Sequence, residues 1–302
     1  MNETNTKYKI ITSLFWKFME RGGTFGVQFL VQLILARLLL PEDYGLIVIV
    51  AIFISIANLI IQNSFNTALI QKKDANETDY SSVFYLSIGL ALILYLLIFF
   101  LSPIIANFYA NTVLIWYLRI FAISLFFGAF NSIQNAIIAK NMEFKKLFFG
   151  NFVAIIISGT IGIVMAYSGY GGWALIFLQL SNQIAITIIL WFVVKWRPKF
   201  LFSWLRVREL FSFGWKILIS SILFSIYENL RSLIIGKFYQ PDTLGYYNKG
   251  KEFPKYITDN INGTIQTVIF PALAALQDDK KQIKNMMQRS IISSAFLLFP
   301  IL

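Results

Sequence analysis

The sequence predicts an all-α membrane protein, a polytopic helical bundle in which two parallel-repeat lobes surround a central cleft and the C-terminal part is missing. Three observations lead to this fold class. Hydrophobic residues make up 57% of the 302 residues and charged residues 14%, against about 25% charged in typical soluble domains. Long apolar runs alternate with short polar breaks. The start of the chain is also repeated about 200 residues later.

The apolar runs have the length of membrane spans, because about 20 helical residues cover roughly 30 Å of hydrocarbon. The predicted spans are residues 14–38, 45–70, 81–106, 113–139, 147–168, 173–194, 212–238 and 247–275. A ninth run begins near Ser290 and stops at Leu302, so we expect the chain to be a fragment. Residues 1–200 would form an N-terminal lobe of six transmembrane helices. Residues 201–302 would begin a C-terminal lobe, with two helices and part of a third.

Basic residues distinguish the two sides of the membrane, because Lys- and Arg-rich loops stay in the cytoplasm. Loops 39–44, 107–112, 169–172 and 239–246 contain neither Lys nor Arg, whereas the N-terminal tail and the other loops carry 16 of the 26 basic residues. We therefore expect a cytoplasmic N-terminus. The net charge of +11 is explained by topology and contact with anionic membrane lipids, not by nucleic-acid binding.

An internal repeat relates the first predicted hairpin to the last. Trp16-Lys17 matches Trp215-Lys216 at an offset of 199 residues. At an offset of 200, Arg37 matches Lys237, Pro41 matches Pro241, Glu42 matches Asp242 and Gly45 matches Gly245. Six spans separate the copies, so both have the same orientation. Such a parallel duplication is typical of alternating-access transporters.

Polar residues inside the predicted spans mark the expected cleft, because charged groups at bilayer depth cost about 2.5 to 3.5 kcal/mol each. The eighth span carries a polar stripe on one helical face: Asn248, Glu252, Lys255, Asp259, Asn262 and Gln266. The repeat-related spans one, two and seven also carry polar faces. Candidate substrate-binding residues are Arg21, Gln28, Gln62, Glu228, Arg231, Lys255, Asp259 and Asn262. The alternative is that the stripe's charges only neutralise one another and pack.

Several kinds of chemistry have no support in the sequence. It contains no Cys and no His, which removes thiolate and imidazole metal ligands and the commonest general base. Phosphate-binding glycine loops and serine-hydrolase motifs are also missing. We expect no cofactor, no metal and no enzymatic activity.

Three stretches resemble a known family: LLLPEDYGL (38–46), YGGWALIFLQL (170–180) and LGYYNKGKEFPKYITDNINGTIQTVIFPALAALQDD (244–279). They are similar to the O-antigen and colanic-acid type flippases, the polysaccharide-exporting branch of the multidrug/oligosaccharidyl-lipid/polysaccharide exporter superfamily. The resemblance implies a multi-pass protein of the bacterial cytoplasmic (inner) membrane. It implies that an undecaprenyl-diphosphate-linked oligosaccharide is flipped to the outer leaflet, with polysaccharide polymerases and glycosyltransferases as candidate partners.

Buried cations suit a diphosphate headgroup, and Arg21, Arg231, Lys249, Lys251 and Lys255 are placed to supply them. Asn and Gln side chains could bind sugar hydroxyls. Three alternatives remain: a cation-coupled drug antiporter of the same superfamily, using Glu228 and Asp259; a membrane glycosyltransferase or polymerase; and a structural scaffold. The substrate's charge would separate the flippase from the antiporter.

The predicted topology can be tested by cysteine labelling in this cysteine-free chain. Cysteines that replace Asp43, Asn111, Gly171 or Asp242 should react with an impermeant reagent in intact cells. Cysteines that replace Lys72, Lys140, Lys199 or Lys281 should react only after the membrane is opened. Labelling of the second group in intact cells would contradict the predicted orientation.

Overall fold

A computed structural model describes residues 3–72, 75–141 and 143–251, and a few residues between 284 and 295. The described residues form helices and no strand. The helices are α1 Glu3–Leu38, α2 Pro41–Gln71, α3 Glu77–Phe108, α4 Val113–Phe121, α5 Ser124–Asn141, α6 Phe144–Tyr167, α7 Trp173–Val193 and α8 Trp204–Phe238. A further helix, α9, begins at residue 241 and is described to residue 251.

The outer surface of the bundle is apolar, as a bilayer requires. On α3, Ile93, Phe100 and Ile104 are 60%, 70% and 64% exposed, which would be unfavourable in water. Within the described residues, six stretches are long and apolar enough to cross a membrane: Pro41–Gln62, Glu77–Phe108, Val113–Asn141, Phe144–Tyr167, Trp173–Val193 and Gly214–Phe238. The predicted all-α membrane fold is thus confirmed, and the chain is a multi-pass membrane protein.

These six stretches correspond to predicted spans two to seven. Of the first predicted span, the part of α1 with described side chains includes the apolar segment Gly22–Leu38. The helix itself continues to Glu3. The eighth predicted span, residues 247–275, lies mostly outside the described residues.

The fourth predicted span is two helices rather than one. Between α4 and α5 the backbone makes a turn in which the N–H of Leu125 donates to the carbonyl of Ala122 at 3.0 Å. Leu118 and Leu125, on either side, are both fully buried. The core therefore continues across the break in the regular helical hydrogen bonding. Neither Gly nor Pro stands between residues 121 and 125, so no breaker residue indicates the turn.

The connection from α7 to α8 is bound to the start of α3. The N–H groups of Lys199 and Ser203 donate to the hydroxyls of Ser81 and Ser82, at 3.1 and 2.9 Å. Further along, Val207 and Leu210 of α8 share a buried cluster with Val83, Phe84, Leu69 and Ile133. The first turns of α8 are thus fixed on the helices that precede them in the chain.

The start of α3 is itself firmly capped. Asn76 and Asp79 form a reciprocal capping box, which satisfies two backbone N–H groups that a helix leaves free. Lys72 binds the fully buried Asp79 with an N–O distance of 2.9 Å. This side of the bundle therefore holds the α7–α8 connection on a rigid support.

The 200-residue repeat is visible in the local structure. Helix α1 ends at Leu38 and α2 begins at Pro41, while α8 ends at Phe238 and α9 begins at residue 241. In each hairpin the same hydrogen bond closes the end of the first helix. The N–H of Leu39 donates to the carbonyl of Leu35, and the N–H of Tyr239 donates to the carbonyl of Ile235, each at 2.9 Å. The turn between the two helices therefore has the same local structure at both places.

The two hairpins meet at a reciprocal glycine contact. A Cβ atom on Gly45 would overlap the carbonyl oxygen of Pro241, and one on Gly245 would overlap that of Pro41. Both contacts join the first turn of α2 to the first turn of α9, in opposite directions. This reciprocity is expected of a pseudo-twofold axis that passes between the two turns.

We predict that Gly45→Ala lowers the melting temperature of the purified protein. The added methyl must push α9 away, and overpacking of this kind costs about 1–3 kcal/mol. Gly89→Ala is the matched control, because nothing lies within 4 Å of its position on α3. Equal melting temperatures for the two variants would contradict the close contact.

Candidate functional site

The predicted substrate-binding residues divide into three groups. The structure describes the side chains of Gln28, Gln62, Glu228 and Arg231. Arg21 lies in α1, and its side chain is outside the described part. Lys255, Asp259 and Asn262 lie outside the described residues, together with most of the polar stripe of the eighth span. The roles of all eight residues stay predictions.

Gln28 and Gln62 lie in different surroundings, although both belong to the first hairpin. Gln28 is exposed and borders a cavity of about 210 Å³ between α1, α6 and α7. Gln62 and Asn58 instead face α5, where a Cβ on Gly128 would lie 2.6 Å from Asn58 Oδ1 and 3.1 Å from Gln62 Nε2. A glycine at position 128 thus lets two amides of α2 approach the α5 backbone.

On the second hairpin, Glu228 binds a lysine that follows it in α9. Nζ of Lys251 lies 3.8 Å from the Glu228 carboxylate and donates to its main-chain carbonyl at 2.7 Å. Arg231, one turn further along α8, is exposed. One predicted carboxylate is thus already paired with a cation, while the Arg231 guanidinium lies at the surface of the bundle.

Lys249 connects the two hairpins. Its Nζ donates to Oε1 of Gln32 in α1 at 2.8 Å and lies 4.1 Å from the centre of the Tyr44 ring in α2. Tyr44 is 8% exposed, so the cation is in contact with a buried aromatic face. A half-buried ammonium from the second hairpin is therefore held by both helices of the first.

Sequence reasoning missed the amide groups that face Gln28. The same cavity is lined by Gln32 of α1 and by Gln179, Asn182 and Gln183 of α7. Residues 179, 182 and 183 have the i, i+3, i+4 spacing of one helical face inside an apolar helix. That spacing is visible in the sequence, but uncharged amides are a weaker indication of a site than charged residues inside a span.

The helices around Gln32 and Lys249 thus supply two kinds of polar group. Neutral amides come from α1 and α7, and ammonium groups come from α9. Among the described residues, no group of three or more acidic, His or Cys side chains could hold a metal ion. Ammonium groups suit an anionic ligand, and amides suit a neutral ligand with many hydroxyl groups.

Comparison with known proteins finds a matching family and several related sequences. A family model described as "Polysaccharide biosynthesis protein" matches residues 34–302. Teichuronic acid biosynthesis protein TuaB of Bacillus subtilis is 27% identical over 243 residues, covering 80% of this chain and 48% of that protein. Succinoglycan biosynthesis transport protein ExoT of Rhizobium meliloti is 21% identical, covering 100% and 61%. Lipopolysaccharide biosynthesis protein WzxC of Escherichia coli is 22% identical, covering 97% and 60%.

The chain therefore spans about half to three fifths of the length of these relatives. One solved structure has a similar fold: an inward-facing multidrug resistance transporter of the MATE family, in the MOP superfamily. The TM-score is 0.67 and the identity 17%, over 90% of this chain and 67% of that one. This likeness confirms the predicted all-α membrane fold.

We predict that Gln32 and Lys249 are energetically coupled. Gln32→Leu and Lys249→Met should each lower the melting temperature, because each removes a hydrogen bond to a charged group, worth about 1.5–3 kcal/mol. The double variant should lose less than the sum of the two. Lys195→Met, at an exposed position, is the control for loss of a positive charge. Additive losses would show that the two side chains do not interact.

Proposed function

The chain belongs to the family of polysaccharide biosynthesis proteins, and from this premise we propose that it flips lipid-linked oligosaccharides across a bacterial cytoplasmic membrane. The cargo would be an undecaprenyl-diphosphate-linked repeat unit for surface polysaccharide. The two hairpins would separate on one side of the membrane at a time, as in alternating access. The activity is transport, without a catalytic residue.

The observation that carries this proposal is the position of Lys249. It places an ammonium between the hairpins, in contact with an amide of α1 and the ring of Tyr44. A diphosphate that enters between the hairpins would compete with Gln32 for this cation. Arg21, Arg231 and Lys255 are further proposed phosphate ligands, and Gln28, Gln62, Glu228, Asp259 and Asn262 proposed partners of the sugars or of these cations.

The carrier's prenyl chain needs apolar surroundings, and the bundle offers them beside the hairpins. A groove of about 530 Å³ between α2, α3 and α8 is lined by residues such as Phe53, Ile104, Phe108 and Leu233. It opens next to the exposed apolar face of α3. The lipid tail could therefore stay in contact with the bilayer while the headgroup lies between the hairpins.

The proposed lobes and orientation follow the sequence. We propose a cytoplasmic N-terminus, an N-terminal lobe in residues 1–200 and the start of a second lobe in residues 201–302. In that orientation the glycine contact closes the extracellular end of the two hairpins. The α7–α8 connection, held on α3, lies at the cytoplasmic end. Polysaccharide polymerases and glycosyltransferases that make or use the cargo are proposed partners.

The test measures the rate of transport in proteoliposomes that contain the complete gene product. Undecaprenyl diphosphate carrying a labelled sugar should cross faster than in protein-free vesicles. Arg231→Ala should slow transport about tenfold or more, because it removes a charge-assisted hydrogen bond. Arg231→Lys should slow it less, since the charge remains but the planar fork is lost.

Lys195→Ala, at an exposed position after α7, is the control for loss of a cation elsewhere. Protein content and melting temperature are matched among the variants. If the wild-type protein moved a cationic dye and left the diphosphate lipid in place, the cation antiporter would replace the flippase as the function.

A further inference from the structure

The cavity beside Gln28 has the properties of a binding site for a neutral, hydroxyl-rich group. It lies between α1, α6 and α7, and six polar side chains line it: Gln28, Gln32, Ser158, Gln179, Asn182 and Gln183. Its volume is about 210 Å³. This is room for a sugar ring.

The lining amides are available for a ligand. Asn182 Nδ2 donates to Ser158 Oγ at 3.2 Å, which fixes one amide on the cavity wall. Among the described residues, Gln28 and Gln179 have no hydrogen-bonding partner for their side chains. Each carboxamide offers two donors and an acceptor, so several hydroxyl groups could be bound at once. Amides at this depth of a membrane protein are unfavourable unless they are paired or wet.

The walls of the cavity offer neutral polar groups to an occupant. No charged side chain lines it within the described part of the chain. The carboxylate of Glu20, two turns before Gln28, accepts instead from Asn151 at 3.0 Å. A cation such as a drug or a metal ion would find no countercharge on the walls, whereas sugar hydroxyls need none.

A cation lies at the edge of this neutral cavity. Gln32 is both a lining residue and the acceptor of the hydrogen bond from Lys249. A diphosphate at Lys249 would therefore have the amide-lined cavity directly beside it. This is the order of groups in a glycosylated carrier lipid, where the first sugar is bonded to the diphosphate.

We propose that the cavity between α1, α6 and α7 binds the carrier-proximal sugar of the cargo, while Lys249 at its edge binds the diphosphate. This inference rests on the proposed function. It adds a subsite in the first six spans, made by Gln28, Gln32, Gln179 and Gln183, that selects glycosylated carrier over bare carrier.

The test compares the binding of two probes to the complete gene product in lipid nanodiscs. One probe is undecaprenyl diphosphate carrying a single hexose, and the other is undecaprenyl diphosphate without sugar. Wild-type protein should bind the first more tightly. Gln179→Leu and Gln28→Ala should each weaken its binding about fivefold to tenfold, as loss of one or two hydrogen bonds predicts. Binding of the bare carrier should change less than twofold.

The control variant is Gln240→Leu, an exposed glutamine in the α8–α9 connection, which should leave both affinities unchanged. Gln28→Ala removes an exposed side chain and leaves no packing void, so it keeps the test valid if Gln179→Leu fails to fold. If the glutamine variants lost the same binding affinity for both probes, or lost affinity for neither, the sugar subsite would be overturned. Equal binding of both probes by wild-type protein that still transports the glycosylated lipid would also overturn it. Failure to bind or transport either probe would overturn the proposed function as well.

Discussion

The contact of Gly45 with Pro241 and of Gly245 with Pro41 is the constraint on which the arrangement of the two hairpins depends. Any side chain at either glycine would overlap a main-chain carbonyl, so only glycine permits this distance. The same approach brings α9 close enough for Lys249 to reach Gln32 and the Tyr44 ring. It also buries Leu244 completely in the core around α2. The position of the Lys249 cation between the hairpins thus depends on Gly45 and Gly245.

Much of the fold could be predicted because a bilayer allows little else. Backbone groups in hydrocarbon must be paired within a helix, so the apolar runs gave spans two to seven, and the matching Pro and Gly residues gave the repeat. The break between α4 and α5 could not be predicted, since residues 121–125 contain no breaker. It depends on how Leu118 and Leu125 pack in the same core, which is a tertiary effect.

The site was harder to predict than the fold. Sequence spacing places polar residues on a helical face, but it does not say which helix that face meets. Gln28 and Gln62 are on one predicted hairpin, yet the first faces α6 and α7 and the second faces α5. Lys249 belongs to α9 and binds α1, 217 residues earlier. Such contacts depend on long-range packing that no local pattern contains.

Helix α8 is held at both ends by the helices that precede it, which limits how the hairpins can separate. At its start, Val207 and Leu210 pack with Val83 and Phe84. At its end, Lys237 donates to the carbonyl of Phe108. The hydroxyl of Tyr109 donates to the carbonyl of Leu233, and burial raises the pKa of Tyr109. The end of α8 also has apolar contacts, because Ile235 packs on the main core and Gly236 lies close to Ile49 of α2 and Leu244 of α9. Separation of the hairpins at the glycine end therefore has to open apolar contacts as well as polar ones, and the burial of apolar area is the larger of the two contributions.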